Sequence, residues 1–73
     1  MTAQQLNVIR EDVIKSRIIQ LVNDYTSRCY YIVVFNSESR VETYKSVPIW
    51  NITKAYDLYF TKSCEVKEYI WNS

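Results

Sequence analysis

The chain has 73 residues and a mass of 8.8 kDa, with no glycine, no histidine and a net charge of +1. This length allows one small domain, in which the entropy cost of folding nearly cancels what a single core contributes. The absence of glycine excludes phosphate-binding loops and dinucleotide-binding fingerprints, because both need backbone at positive φ close to a phosphate. The absence of histidine excludes a Ser-His-Asp triad, a Cys-His pair and imidazole metal sites.

Hydrophobic residues make up 48% and charged residues 23%, the balance of an ordinary globular domain. The longest apolar run, Cys29 to Phe35, has seven residues, against the roughly 20 that a membrane-spanning helix needs. No basic segment leading into an apolar one follows Met1, so no secretory signal is visible. We therefore expect a cytoplasmic protein without a membrane segment.

The side chains offer little chemistry. Cys29 and Cys64 are expected to be free thiols in a reducing compartment, and two cysteines without histidine fall short of a structural zinc site. The carboxylates are scattered among polar neighbours and form no acid–base pair. We expect no catalytic activity, no metal, no cofactor and no small-molecule substrate.

The segment from Ala3 to Tyr25 is predicted to be a helix, because Thr2 and Gln5 have the spacing of a capping box and no breaker follows. A first apolar stripe at three- and four-residue steps is expected to face the core; it consists of Ile14, Ile18, Leu21, Val22 and Tyr25. A second stripe, Leu6, Ile9 and Val13, points about a third of a turn away. Either the helix bends or starts later, or this second stripe, with Trp50 nearby, is a candidate dimer interface.

The next segments predict a β-hairpin. Cys29 to Phe35 has the composition of a strand, Arg40 to Lys45 alternates, and the polar residues Asn36 to Ser39 connect them. Because no glycine is present, a four-residue connection built on a type I turn is expected.

A second helix is predicted to begin near Pro48, with Ser46 as its cap. Its predicted core stripe is Ile49, Ile52, Tyr56, Tyr59 and Phe60, and its outward residues are Trp50, Lys54 and Asp57. Cys64 to Trp71 alternates and is predicted to be a third strand.

These elements predict an α+β fold in a single domain, residues 1–73, with the order α-β-β-α-β. The sheet is expected to be three-stranded and antiparallel, in the order 2-1-3, with both helices on one face. Alternation then places five rings with Val33 on the uncovered face: Tyr31, Phe35, Tyr44, Tyr69 and Trp71.

An uncovered apolar face of several hundred Å² is typical of an interaction site, and tyrosine and tryptophan suit such a contact. We therefore expect a small non-enzymatic protein-interaction module that binds one protein partner or forms a homo-oligomer. The 15% aromatic content, with many Ile and Asn residues, indicates AT-rich coding common among phages and viruses. A phage- or virus-encoded regulator or inhibitor of a host protein, acting in the host cytoplasm, is the expected setting.

Single-stranded nucleic acid, RNA in particular, is the alternative partner, because an aromatic sheet resembles in outline the stacking platform of RNA-recognition modules. Stacking would involve Tyr31, Phe35, Tyr44 and Trp71, and the phosphates would meet Arg40, Lys45 and Lys67. Three carboxylates, Glu42, Glu65 and Glu68, lie among these cations and oppose such binding.

Overall fold

A computed structural model describes residues 6–72, and side chains as far as residue 69; it shows four strands followed by one helix. The elements are β1 (Leu6–Ile14), β2 (Arg17–Asp24), β3 (Cys29–Asn36), β4 (Glu42–Lys45) and α1 (Ile52–Asn72). The strands form one sheet in the order β1-β2-β3-β4, and each neighbouring pair is antiparallel. The predicted fold class, three strands with two helices in the order α-β-β-α-β, is therefore wrong.

The predicted N-terminal helix is instead the β1–β2 hairpin. The apolar spacing of this segment resembles that of a helix because β2 is buried on both faces of the sheet. Its buried residues, all at most 7% exposed, are Ile18, Ile19, Leu21 and Val22. A strand buried on both faces shows no alternation, and two adjacent apolar pairs reproduce helical steps of three and four. The β-branched residues of this segment favoured a strand.

A β-bulge in β1 hides the remaining alternation. The register with β2 shifts between Val8 and Arg10, so Ile9 is an extra residue in the ladder. Ile9 packs against the core as a result. The bulge explains why Leu6, Ile9 and Val13 resemble a helical stripe although they lie on a strand.

The second helix exists but begins later and continues through the predicted third strand. Asn51 caps it, because the Asn51 Oδ1 atom accepts hydrogen bonds from the backbone N–H groups of Thr53 (2.9 Å) and Lys54 (3.1 Å). No Pro or Gly interrupts the 21 residues of α1. Its buried stripe is Ala55, Tyr59, Ser63 and Val66. The predicted core residues Ile52 and Phe60 are instead about half exposed, at 44% and 49%.

The predicted hairpin of β3 and β4 is confirmed, although β4 begins at Glu42 rather than Arg40. The Asn36 Oδ1 atom organises the turn by accepting hydrogen bonds from the N–H groups of Glu38 and Ser39. Three basic residues occupy the left-handed backbone conformation that glycine favours: Lys15 (φ 53°), Arg28 (φ 57°) and Arg40 (φ 63°).

The core lies between one face of the sheet and α1. Its buried members are Ile14, Ile19, Leu21, Ile32, Val34, Ile49, Ala55, Tyr59 and Val66. Among the described elements, α1 packs across β1, β2 and β3. All of α1 lies on this face of the sheet, and the other face has no second layer in residues 6–69.

Candidate functional site

The sheet face turned away from α1, here called the open face, is the main candidate site. Ile19, Leu21, Ile32 and Val34 face the helix, so the residues that alternate with them on β2 and β3 point to the other side. Paired residues in the ladders share a face, which extends the assignment to β1 and β4.

The ladders arrange the open face in rows that cross the sheet. One row runs from edge to edge through Glu11, Gln20, Val33 and Lys45. The row nearest the β1–β2 turn consists of Val13, Ile18, Phe35 and Glu42. On the other side, Val8, Val22 and Tyr31 form a third row, and Leu6, Asp24 and Cys29 a fourth. The centre of the face is therefore apolar, and its charges lie mainly along the two edge strands.

Part of this face forms a shallow groove of about 350 Å³. Its lining consists of Leu6, Gln20, Val22, Tyr31, Val33, Phe35, Arg40, Glu42 and Lys45. The Lys45 Nζ atom lies 4.6 Å from the centre of the Tyr31 ring, within the range of a cation–π contact. At the opposite edge, Gln20 Nε2 donates a 2.9 Å hydrogen bond to Glu11 Oε1.

Exposure on the open face increases from its centre to its β1 edge. Ile18 and Val22 are buried by their neighbours, at 7% and 5% exposed. By contrast, Leu6, Val8 and Val13 are 54%, 47% and 66% exposed. A hydrogen bond with the Cys29 side chain and desolvation raise the pKa of the Tyr31 hydroxyl above its ordinary value.

The predicted aromatic surface is only partly assembled. Tyr31 and Phe35 lie together on the open face. Tyr44 pairs with Val34 and lies on the helix side of the sheet, while Tyr69 is exposed on α1. Trp71 falls within α1, and its side chain lies outside the described residues.

The residues of the predicted dimer interface lie on different surfaces of the structure. Leu6 and Val13 lie on the open face, whereas Ile9 packs on the core at the bulge. Trp50, just before α1, is 68% exposed. The predicted helix from Ala3 to Tyr25 includes Val8, Ile18 and Val22, so the sequence analysis did not place these residues on a sheet face. The β-branched run of β2 was the signal that could have located them.

A second cleft of about 470 Å³ lies between β4 and α1. Its lining consists of Arg17, Val34, Thr43, Tyr44, Lys62, Glu65, Val66 and Tyr69. The Lys62 Nζ atom lies 3.9 Å from the centre of the Tyr44 ring and 3.3 Å from Glu65 Oε2. The contact of Lys62 with Tyr44 connects α1 to β4. The contact of Lys62 with Glu65 pairs two opposite charges within the cleft.

The described residues contain no group of three or more potential metal ligands lying together. Cys29 is buried and Cys64 is exposed on α1, and both thiols are free. In the described part of the chain, no helix has the length and apolar character needed to cross a membrane.

Comparison of the chain with known protein families, curated proteins and solved structures finds no match.

Proposed function

We propose that this chain is a small non-enzymatic protein-interaction module that binds a partner protein through the open face. One observation carries the proposal: the side of the sheet that α1 leaves uncovered is apolar at its centre and along much of β1. An antiparallel sheet with one solvated face ordinarily alternates apolar and polar residues. Here Val22, Tyr31 and Val33 replace that polar layer, in the pattern of a face that packs against another surface.

The distribution of charge supports the same function. Glu11 lies on one edge of the apolar centre, and Lys45 and Glu42 lie on the other. An apolar core within a polar rim is the usual anatomy of a protein–protein interface. Rim charges of both signs contribute to orientation and partner choice more than to affinity. The expected partner is a protein with its own apolar patch and both signs of charge.

Single-stranded nucleic acid remains the second candidate, with less support. Among the rings whose side chains the structure describes, only Tyr31 and Phe35 of that stacking set share the open face. Lys67 lies on α1, and Glu42 lies beside Arg40 and Lys45 in the same groove. Carboxylates next to the few cations oppose a phosphate backbone.

Two substitutions with matched exposure test the proposal. Val8 on the open face is 47% exposed, and Leu58 on α1 is 48% exposed. In cross-linked affinity capture from the cell of origin, Val8→Lys is expected to lose the proteins that the parent chain captures, while Leu58→Lys retains them. Circular dichroism checks that both variants fold.

Unchanged capture by Val8→Lys, or loss with Leu58→Lys alone, would contradict the proposal. An electrophoretic shift of single-stranded RNA by micromolar protein at moderate salt would also contradict it, if Lys45→Glu, which removes a cation from the open face, abolished that shift.

A further inference from the structure

We infer that the partner of the open face is a second copy of this chain, stacked face to face about a two-fold axis parallel to the strands. This inference rests on the proposed function, since it identifies the occupant of the same face. Its basis is the row of four residues that crosses the sheet from Glu11 to Lys45.

The row is self-complementary under one rotation. Glu11 lies on the edge strand β1, and Lys45 lies at the same level on the other edge strand, β4. A two-fold axis that runs between β2 and β3, parallel to them, brings β1 of one copy over β4 of the other. Glu11 of each copy then meets Lys45 of the other copy, so that two ion pairs close the interface at its two edges.

The same rotation matches the apolar rows. Ile18 lies opposite Phe35 of the other copy, and Val22 lies opposite Tyr31. Because Ile18 and Val22 are already buried within one copy, the half-buried Phe35 and Tyr31 rings supply most of the new contact. Val13 of one copy meets Glu42 of the other at the rim of the interface, where the carboxylate stays hydrated. A two-fold axis across the strands would instead bring Glu11 close to Glu11 of the other copy, and like charges in contact oppose association. The charges therefore select the axis parallel to the strands.

Both charged groups are available for this contact. Ion pairs within the described residues join Arg10 to Asp12 and Lys62 to Glu65. Glu11 accepts a hydrogen bond from the neutral Gln20 amide, and Lys45 lies over the neutral Tyr31 ring. Neither contact neutralises the charge, so an opposite charge from a second copy adds an interaction that one copy does not make.

The size of the face predicts a weak, reversible dimer. The three long strands have eight or nine residues and β4 has four. With strands about 4.8 Å apart and about 3.4 Å per residue, they project an area of about 470 Å². Two copies then bury about 950 Å², the size of weak, transient interfaces. Twisted sheets stack with strands about 30° apart, which this axis permits. Association between micromolar and millimolar concentration is expected.

Charge reversal tests the inference by sedimentation velocity over that concentration range. Glu11→Lys and Lys45→Glu, each alone, place like charges at both edges and are expected to weaken the dimer by about tenfold or more. An equimolar mixture of the two variants restores opposite charges at both edges, and so does the double variant E11K/K45E. Both samples are expected to dimerise almost as well as the parent chain.

Glu68→Lys is the matched control, because it makes the same charge change on the exposed surface of α1. It is expected to leave the dimer unchanged. Failure of E11K/K45E to restore association, or equal weakening by Glu68→Lys, would overturn the inferred axis.

A parent chain that stays monomeric throughout the concentration range would overturn the second copy as occupant. The proposed function then stands if Val8→Lys still loses the proteins that the parent chain captures, and fails with the inference if it does not. Circular dichroism of every variant separates lost association from lost folding.

Discussion

The Tyr59 hydroxyl donates a 2.5 Å hydrogen bond to Asp12 Oδ2 and so connects the middle of α1 to the edge strand β1. The same hydroxyl lies 3.3 Å from the Ile19 carbonyl oxygen on β2. Arg10 supports the arrangement, with its guanidinium 3.5 Å from Asp12 Oδ2 and 5.9 Å from the centre of the Tyr59 ring. This contact connects α1 to β1 and β2 on the side of the sheet that carries the buried core.

Tyr59→Phe is expected to lower the free energy of unfolding by about 1–2 kcal/mol, because it removes a hydrogen bond to a charged group and leaves the buried ring in place. Urea denaturation measures the change. Tyr69→Phe on the same helix is the control, since Tyr69 is 69% exposed, and should change stability by less than about 0.5 kcal/mol. Equal effects of the two substitutions would contradict a special role for the Tyr59–Asp12 contact.

Stability is expected to fall at alkaline pH. Burial and the hydrogen bond to Asp12 raise the pKa of Tyr59 well above its ordinary value. Above about pH 10 the unfolded chain releases this proton while the folded chain keeps it, so stability declines with rising pH. Tyr59→Phe should reduce this decline in denaturation experiments from pH 8 to about pH 11, leaving the smaller contribution of Tyr31. Identical slopes for the parent chain and the variant would show that Tyr59 does not cause the decline.

Ser63→Ala is expected to stabilise the chain by about 1 kcal/mol. Ser63 is 6% exposed on the buried side of α1, and its Oγ atom has no hydrogen-bond partner among the described residues. Removing an unsatisfied buried hydroxyl recovers part of its desolvation cost, and alanine is the better helix former. Thermal denaturation should show a higher midpoint.

Ser46→Ala is the opposite control for Ser63→Ala. The Ser46 Oγ atom accepts a hydrogen bond from the Ile32 N–H and donates one to the Val47 carbonyl, both at 2.9 Å. Its loss should destabilise by about 1 kcal/mol. A destabilised Ser63→Ala variant would mean that the hydroxyl has a partner in solution.

Arg28→Gly is expected to stabilise the β2–β3 turn by about 0.5–1 kcal/mol. Arg28 is exposed and has a φ of 57°, a conformation that costs residues with a Cβ atom about 1–2 kcal/mol. Glycine removes that cost but adds freedom to the unfolded chain, which reduces the gain. Arg28→Ala keeps the Cβ atom and should show no gain in chemical denaturation. Equal stability of the Gly and Ala variants would exclude backbone strain at this position.

The sequence was informative where local pattern and tertiary environment agree. Cys29 to Phe35 combines strand-forming residues with one covered face, and its predicted alternation is confirmed by Ile32 and Val34 under the helix. The β1–β2 hairpin was hidden for two physical reasons. Burial of β2 on both faces removes its alternation, and the bulge at Ile9 shifts the period of β1.

The candidate site was partly predictable for related reasons. Tyr31 and Phe35 depend only on alternation within β3, so their common face could be predicted. The bulge in β4 places Tyr44 on the helix side, and the absence of a breaker extends α1 through Tyr69. Local alternation does not report either effect. The rows that place Glu11 level with Lys45 depend on strand order, which the sequence alone did not supply.

The most direct test of the open face as the contact surface is methyl NMR of the parent chain as its concentration is raised. If the open face is the contact surface, the methyl signals of Val8, Val22 and Val33 on that face shift progressively, while those of Leu58 on α1 stay constant. Constant signals from the open face would show that it is not the contact surface, and so would shifts confined to α1 and the cleft beside β4.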